Sequence, residues 1–306
     1  MRRFVINVIL VLVTAACILV MLTLIDGTSL RRASHDIGSS HIVAMGASNM
    51  SDAMNEKYYP GLRNLSRAAT QLDYLVPLLP RVLDENPDVD TVLLAFSRLN
   101  ALPHKDVPRP TIQIYKHLMP FIFYDIGQTN WKRILLDPAF LGAILNPDIE
   151  VIMKSRPTLQ DFDLGSCELQ RHDMSNIRLY EKNRREMGGV HFTYKQMEYW
   201  AADNIFWANK GIEICRQRNV VPVLFMTPLY QFDRWLDKED FKRFMLTVFP
   251  ADALVADYED FEFPDDSYYG DVHHLNSKGA NYFTSYLARN GIKVQKLHDW
   301  LKEKGY

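Results

Sequence analysis

Three runs of consecutive apolar residues constrain this chain more than anything else in it: Ile42-Val43-Ala44-Met45, Val92-Leu93-Leu94-Ala95-Phe96 and Val220-Val221-Pro222-Val223-Leu224-Phe225-Met226. A strand with one face in water alternates polar and apolar side chains, whereas a strand covered on both faces has no reason to. Runs this short, closed by Gly46, Ser97 and Thr227-Pro228, predict buried parallel strands in a sheet clad by helices on both sides. A last short strand is expected over residues 253–258. Between the strands the period becomes helical. Residues 68–83 place Leu72, Leu75, Leu79 and Leu83 on one face despite Pro77 and Pro80. Residues 194–218 do the same through Met197, Trp200, Ala201, Ile205, Ala208, Ile212 and Cys215, and residues 233–249 form a further helix. Tyr59-Pro60-Gly61 marks a turn, and Asn64-Leu65-Ser66 reads as a strand-to-helix loop. This alternation predicts a flavodoxin-like three-layer α/β/α sandwich with a mainly parallel sheet.

The N-terminus reads differently. Met1-Arg2-Arg3 precedes an apolar run over residues 4–25, broken only by Asn7 and a few threonines. As a helix it would span about 33 Å, enough for a hydrocarbon core of about 30 Å. It is long for a signal-peptide core, no small-x-small cleavage site follows Ile25, and the run continues well past Cys17. Residues 1–26 therefore read as an uncleaved single-pass anchor, with Arg2 and Arg3 holding the N-terminus in the cytoplasm and residues 27–306 on the periplasmic or extracellular side. The latter are enough for one large α/β domain.

Within that domain residues 103–190 interrupt the pattern. Prolines recur at 103, 108, 110, 120, 138, 147 and 157, with aromatic residues crowded between them, as expected of a helical insertion beside an active-site rim. Arg171, His172, Arg178, Lys182, Arg184 and Arg185 make its end basic, either for an anionic polymer or as a solvated helix face. The whole chain is nearly balanced, with 35 basic and 37 acidic residues, so no nucleic-acid partner is indicated. Outside the apolar run only Cys167 and Cys215 remain, one bridge or two buried thiols, and their spacing suggests no metal.

Two stretches carry chemistry. The first strand stops at Gly46-Ala47-Ser48-Asn49, which puts Ser48 just past the carboxyl end of a buried strand, where α/β sheets keep their reactive groups. The plainer alternative is that Ser48 or Asn49 only caps a helix through Asp52, Ala53 and Met54. Far along the chain, Asp271 and His274 stand three apart before Asn276-Ser277, which look like a helix start. A nucleophile, a base and an acid remote in sequence can still meet, because such triads are defined by geometry. Ser48 then attacks, His274 carries the proton and Asp271 orients the ring, with neighbouring His273 as the alternative base. Thr227, Pro228 and Tyr230 follow a parallel strand to the same sheet edge and would line such a site.

Together these blocks resemble the SGNH, or GDSL-like, hydrolase superfamily. Gly46-Ala47-Ser48 is similar to its first block, and Asp271-Val272-His273-His274, followed by Leu275-Asn276 and Gly279, to its last. The middle blocks depart: Ala68-Ala69 stand near where relatives carry a glycine whose N–H helps hold the oxyanion, and Ser97-Arg98-Leu99-Asn100 where they carry Gly-x-Asn-Asp. The resemblance implies a cofactor-free, metal-free serine esterase or O-acyltransferase, with Asn49, Ser66, Arg98 and Asn100 as oxyanion or substrate-binding candidates, Arg98 the favoured side chain. An anchored domain of this kind resembles proteins that acylate exported polysaccharides or teichoic acids beside a multispanning membrane O-acyltransferase. The expected partners are thus an acylated cell-envelope glycan or acyl donor, and such an acyltransferase. The alternative is a non-catalytic SGNH scaffold that binds glycan or assembles with that enzyme.

Overall fold

The computed structural model describes residues 2–34, 37–68, 72–101, 194–230, 238–271 and 273–302, with isolated positions 138 and 142. Cys167, the basic segment and nearly all of the expected insertion lie outside the described residues.

Six strands form one sheet: β1 (Ile42–Met45), β2 (Leu62–Asn64), β3 (Thr91–Ala95), β4 (Val221–Met226), β5 (Leu254–Asp257) and β6 (Gln295–Lys296). Their order is β2-β1-β3-β4-β5-β6. The first five are parallel, and β6 pairs antiparallel with β5 through Val255 and Gln295. β2 goes beyond the strands read from the sequence, because Leu62-Arg63-Asn64 has no apolar run to announce it. Since β1 is flanked by β2 and β3, the strand order reverses beside it, the point outside the carboxyl ends of the strands where open α/β sheets bind ligands.

Helices clad both faces, an arrangement compatible with a three-layer sandwich. Alternate strand residues divide between two apolar clusters. Val43, Met45, Val92, Leu94, Leu224 and Val255 pack with residues of α3 (Leu72–Leu75), α4 (Leu79–Glu85), α5 (Tyr194–Gln217), α6 (Lys238–Val248) and α8 (Leu297–Lys302). Ala44, Leu93, Val223, Phe225 and Ala256 pack with Met50 and Ala53 of α2 (Ser48–Ala53) and with Phe283 and Leu287 of α7 (Ser277–Asn290). Each fully buried aliphatic or aromatic side chain contributes about 1.5–3 kcal/mol, so the two clusters fix which face each helix occupies.

The single helix expected over residues 68–83 is broken. A 3₁₀ turn, Val76–Leu78, joins α3 to α4. Pro77 and Pro80 each sit in the first turn of a segment, where no N–H is required. Leu72, Leu75, Leu79 and Leu83 are nevertheless all buried. Cys215 is a free, fully buried thiol whose pKa burial pushes up to about 12, which makes it inert.

The N-terminal helix α1 (Arg2–Ser34) runs for 33 residues. Consecutive residues Val8, Ile9, Leu10, Val11, Leu12 and Val13 are all exposed, so its apolar surface covers every side. Among the described residues no helix is long and apolar enough to cross a membrane. Side chains of α1 are described without a break only over residues 3–18, about 24 Å of helix.

Candidate active site

Gly46 opens the serine turn, and its backbone is not in the left-handed region that a sharp glycine turn would use. Its need for glycine is steric: a Cβ there would lie 2.3 Å from Ala95 Cβ on β3 and 2.8 Å from Met50 Cβ on α2. Missing that atom lets β3 and α2 close around the turn. Gly46→Ala should therefore destabilise the protein by about 1–3 kcal/mol or more through overpacking, measured as a lower urea midpoint; an unchanged midpoint would contradict this packing.

Ala47 occupies the N-cap position of α2 and makes no side-chain cap bond, so neither Ser48 nor Asn49 serves as the cap. The Ser48 hydroxyl is left for other work. It lies 2.7 Å from His274 Nε2, and Asn49 Oδ1 is a distant second partner at 3.5 Å. His274 Nδ1 in turn lies 2.9 Å from both carboxylate oxygens of Asp271. A carboxylate only accepts, so Nδ1 carries the proton and Nε2 is the acceptor for the serine hydroxyl.

Local geometry explains the Asp-x-x-His spacing. Asp271 Oδ1 accepts the backbone N–H of His273 at 2.7 Å and of His274 at 2.8 Å, which curls the loop and lays the His274 ring over the carboxylate. Burial by itself would raise the Asp271 pKa, but the His274 ring and these two N–H groups outweigh it and hold the carboxyl below its ordinary value. Of the two neighbouring histidines it is thus His274 that joins Ser48 to Asp271.

The loop is pinned from several sides. Asn276, the expected helix start, caps α7 by accepting the Gly279 N–H at 3.0 Å. Its Nδ2 also donates to the Ser267 and Tyr269 carbonyls, and Tyr269 and Leu275 close the loop's neck by an antiparallel bridge. Tyr230, expected to line the site, is buried and donates from its hydroxyl to Asp266 Oδ2 at 3.0 Å. It braces the loop that carries Asp271 and His274 from the end of β4. Asn64, absent from the sequence candidates, braces the serine side: its Nδ2 donates to the Ser51 and Met54 carbonyls while its Oδ1 accepts the Ser66 N–H. A polar residue at the last position of an undetected strand was its only signal.

The remaining candidates divide. Arg98 is held by acidic partners. Its Nε and N–H both donate to Glu259, at 2.6 and 2.8 Å, and Glu259 follows β5, on the opposite side of β3 from β1. Its guanidinium also approaches Asp260 at 3.6 Å. Burial pushes the fully enclosed Glu259 carboxyl up while Arg98 opposes this. Arg98 therefore clamps two loop ends, with its Nε and N–H committed to Glu259. Ser66 is fully buried, with its N–H taken by Asn64 and its hydroxyl without a hydrogen-bond partner among the described residues. Asn100 accepts the Ser97 N–H and hydroxyl at its Oδ1, which leaves Nδ2 as its donor. At the start of α2 the Ser48 and Asn49 N–H groups meet no acceptor among the described residues.

Among the described residues no group of three or more His, Cys, Asp or Glu is arranged to hold a metal. Two open clefts of about 400 and 430 Å³ lie around Arg216 and the start of β4, at the opposite sheet edge from Ser48. Neither is lined by Ser48, His274, Asp271 or any of the oxyanion candidates.

Compared with known protein families and with curated proteins, the chain matches no family model and no curated protein. What bears on function is the arrangement of Ser48, His274 and Asp271 itself.

Proposed function

We propose that this chain is an SGNH-type serine esterase or O-acyltransferase with a flavodoxin-like three-layer domain, acting on an acylated cell-envelope glycan. The observation that carries the proposal is the 2.7 Å contact between Ser48 Oγ and a His274 ring whose other nitrogen is held by Asp271. A serine hydroxyl is a poor nucleophile unless an adjacent base takes its proton as it attacks. In this reading Ser48 Oγ adds to the ester carbonyl as His274 Nε2 accepts the proton, and His274 returns that proton to the departing alcohol. Water then releases the acid, or a sugar hydroxyl takes the acyl group. The Ser48 N–H and the Asn100 amide are the donors that would hold the oxyanion.

Anchoring is part of the proposal. A helix apolar on every side must be buried in protein or lipid, and among the described residues nothing covers the exposed Val8 to Val13 stretch of α1. We therefore place residues 1–26 in the bilayer and the α/β domain on its outer side, with a multispanning acyltransferase as the partner that would supply acyl groups.

Incubation of the folded protein with a fluorophosphonate, followed by peptide mass spectrometry, should find the adduct on Ser48. An unmodified Ser48 under conditions that label a control esterase would remove the catalytic reading. Hydrolysis of acetyl esters without transfer to any glycan acceptor would decide for esterase over transferase. One observation favours the non-catalytic scaffold instead: Arg98 and the Ser66 N–H, both eligible as oxyanion donors by position, are committed to Glu259 and Asn64.

A further inference from the structure

Ser48 and His274 are 226 residues apart in sequence, so something other than the chain must set their separation to hydrogen-bond length. The two helices that follow them pack on the same face of the sheet. Ser48 is the first residue of α2, and α7 begins three residues after His274. α2 has only six residues, too few to hold itself as an isolated helix. Its C-terminal end leaves carbonyls without helical partners.

Thr284, in the middle of α7, supplies what that end lacks. Its Oγ1 donates to the Ala53 carbonyl at 3.1 Å and accepts the Asn55 N–H at 3.0 Å. One turn earlier, Asn281 Oδ1 accepts from Asn55 Nδ2 at 2.6 Å. Thr284 is completely buried. A threonine inside a helix ordinarily turns its hydroxyl back on its own preceding turn and costs some helix stability relative to alanine. Here the hydroxyl is spent across the interface, on the last turn of the helix whose first residue is Ser48. The register of α2 along α7 is thereby fixed at both a donor and an acceptor, which a greasy contact would leave free to slide.

We propose that Thr284, with Asn281, is the positioning pair that sets the Ser48–His274 contact by locking α2 onto α7. The inference rests on the catalytic reading of Ser48 and His274, and neither Thr284 nor Asn281 is assigned contact with substrate.

Thr284→Val keeps the side-chain shape and removes both bonds, whereas Thr284→Ser keeps the hydroxyl. In the full-length protein, Thr284→Val should lower the limiting rate of fluorophosphonate labelling by about 10- to 100-fold, as small misplacements of reacting groups do. The reagent concentration for half-saturation should stay the same, and Thr284→Ser should restore most of the rate. A second measurement does not depend on reactivity. In the parent protein, Ser48→Ala should shift the His274 ring nitrogen signals in NMR; on the Thr284→Val background the same substitution should shift them little. Wild-type labelling together with an undiminished His274 shift in a folded Thr284→Val protein would overturn the proposal. Should Thr284→Val fail to fold by circular dichroism, Asn281→Ala decides in its place, and full coupling between positions 48 and 274 in that variant would overturn it equally. Absence of labelling in the parent protein would count against the catalytic reading alone, and the NMR coupling would still decide the positioning role.

Discussion

Replacing His274 by Ala should lower ester turnover by about 10⁴- to 10⁶-fold, replacing Ser48 by Ala should cost about as much, and the double variant should be hardly worse than either. The reason lies in the single bond between them. In the proposed mechanism Ser48 Oγ, 2.7 Å from Nε2, is activated only while the ring can accept its proton, and the ring has nothing to accept once the hydroxyl is gone. Groups that work as one unit lose their contribution once, whichever is removed. His273→Ala should retain most of the activity, since it is the His274 ring that sits between Ser48 and Asp271. The check is kcat/KM on a simple acetyl ester for all four proteins, with circular dichroism to establish folding. Losses that multiply in the double variant would mean that Ser48 and His274 act independently, and the relay would have to be abandoned.

Asp271→Asn should lower kcat by about 10⁴-fold with little change in fold. An amide placed where the carboxylate now accepts from Nδ1 can present its NH₂ instead, which turns Nδ1 into an acceptor and moves the ring proton to Nε2. His274 would then face Ser48 with a proton already in place. The same substitution has a signature in stability against pH. The folded-state pKa of Asp271 is depressed, mainly because the His274 bond and charge and two backbone N–H groups overcome the cost of burial. A depressed carboxylate contributes stability that is fully present above its unfolded value of about 3.9 and is lost as pH falls through the lower folded value. The stability difference between the parent and Asp271→Asn should therefore be constant at neutral pH and shrink only in acid. Urea midpoints measured from about pH 5 down to pH 2 give the test; a difference that grows over that interval would reverse the sign and refute the ionised, hydrogen-bonded Asp271.

How much of this was legible in the sequence follows from the range of the forces involved. Strands β1, β3, β4 and β5 announced themselves because burial on both faces removes every polar alternative, and that requirement acts on consecutive residues. The Asp271 to His274 spacing and the Asn276 cap were legible for the same reason, since a side chain that captures N–H groups two and three residues on is local chemistry. β2, at three residues with Arg63 in its middle, exists only because β1 offers it a ladder. The prolines of residues 72–85 hid a break that becomes visible once α3 and α4 are packed on the sheet.

Tertiary structure alone decided the rest. By itself the sequence determined the strands, the turn that exposes Ser48, and a loop in which Asp271 grips His274. The Asp-x-x-His spacing favours His274 over His273, but only the fold brings its Nε2 to Ser48 across 226 residues. Arg98 reads as an oxyanion donor in the sequence, and only the fold brings Glu259, 161 residues away, to accept from its Nε. Thr284, Asn281 and Asn55 are ordinary polar residues until α2 and α7 lie side by side. A hydrogen bond depends on separations of tenths of an ångström between groups the chain does not connect, and those separations are properties of packing.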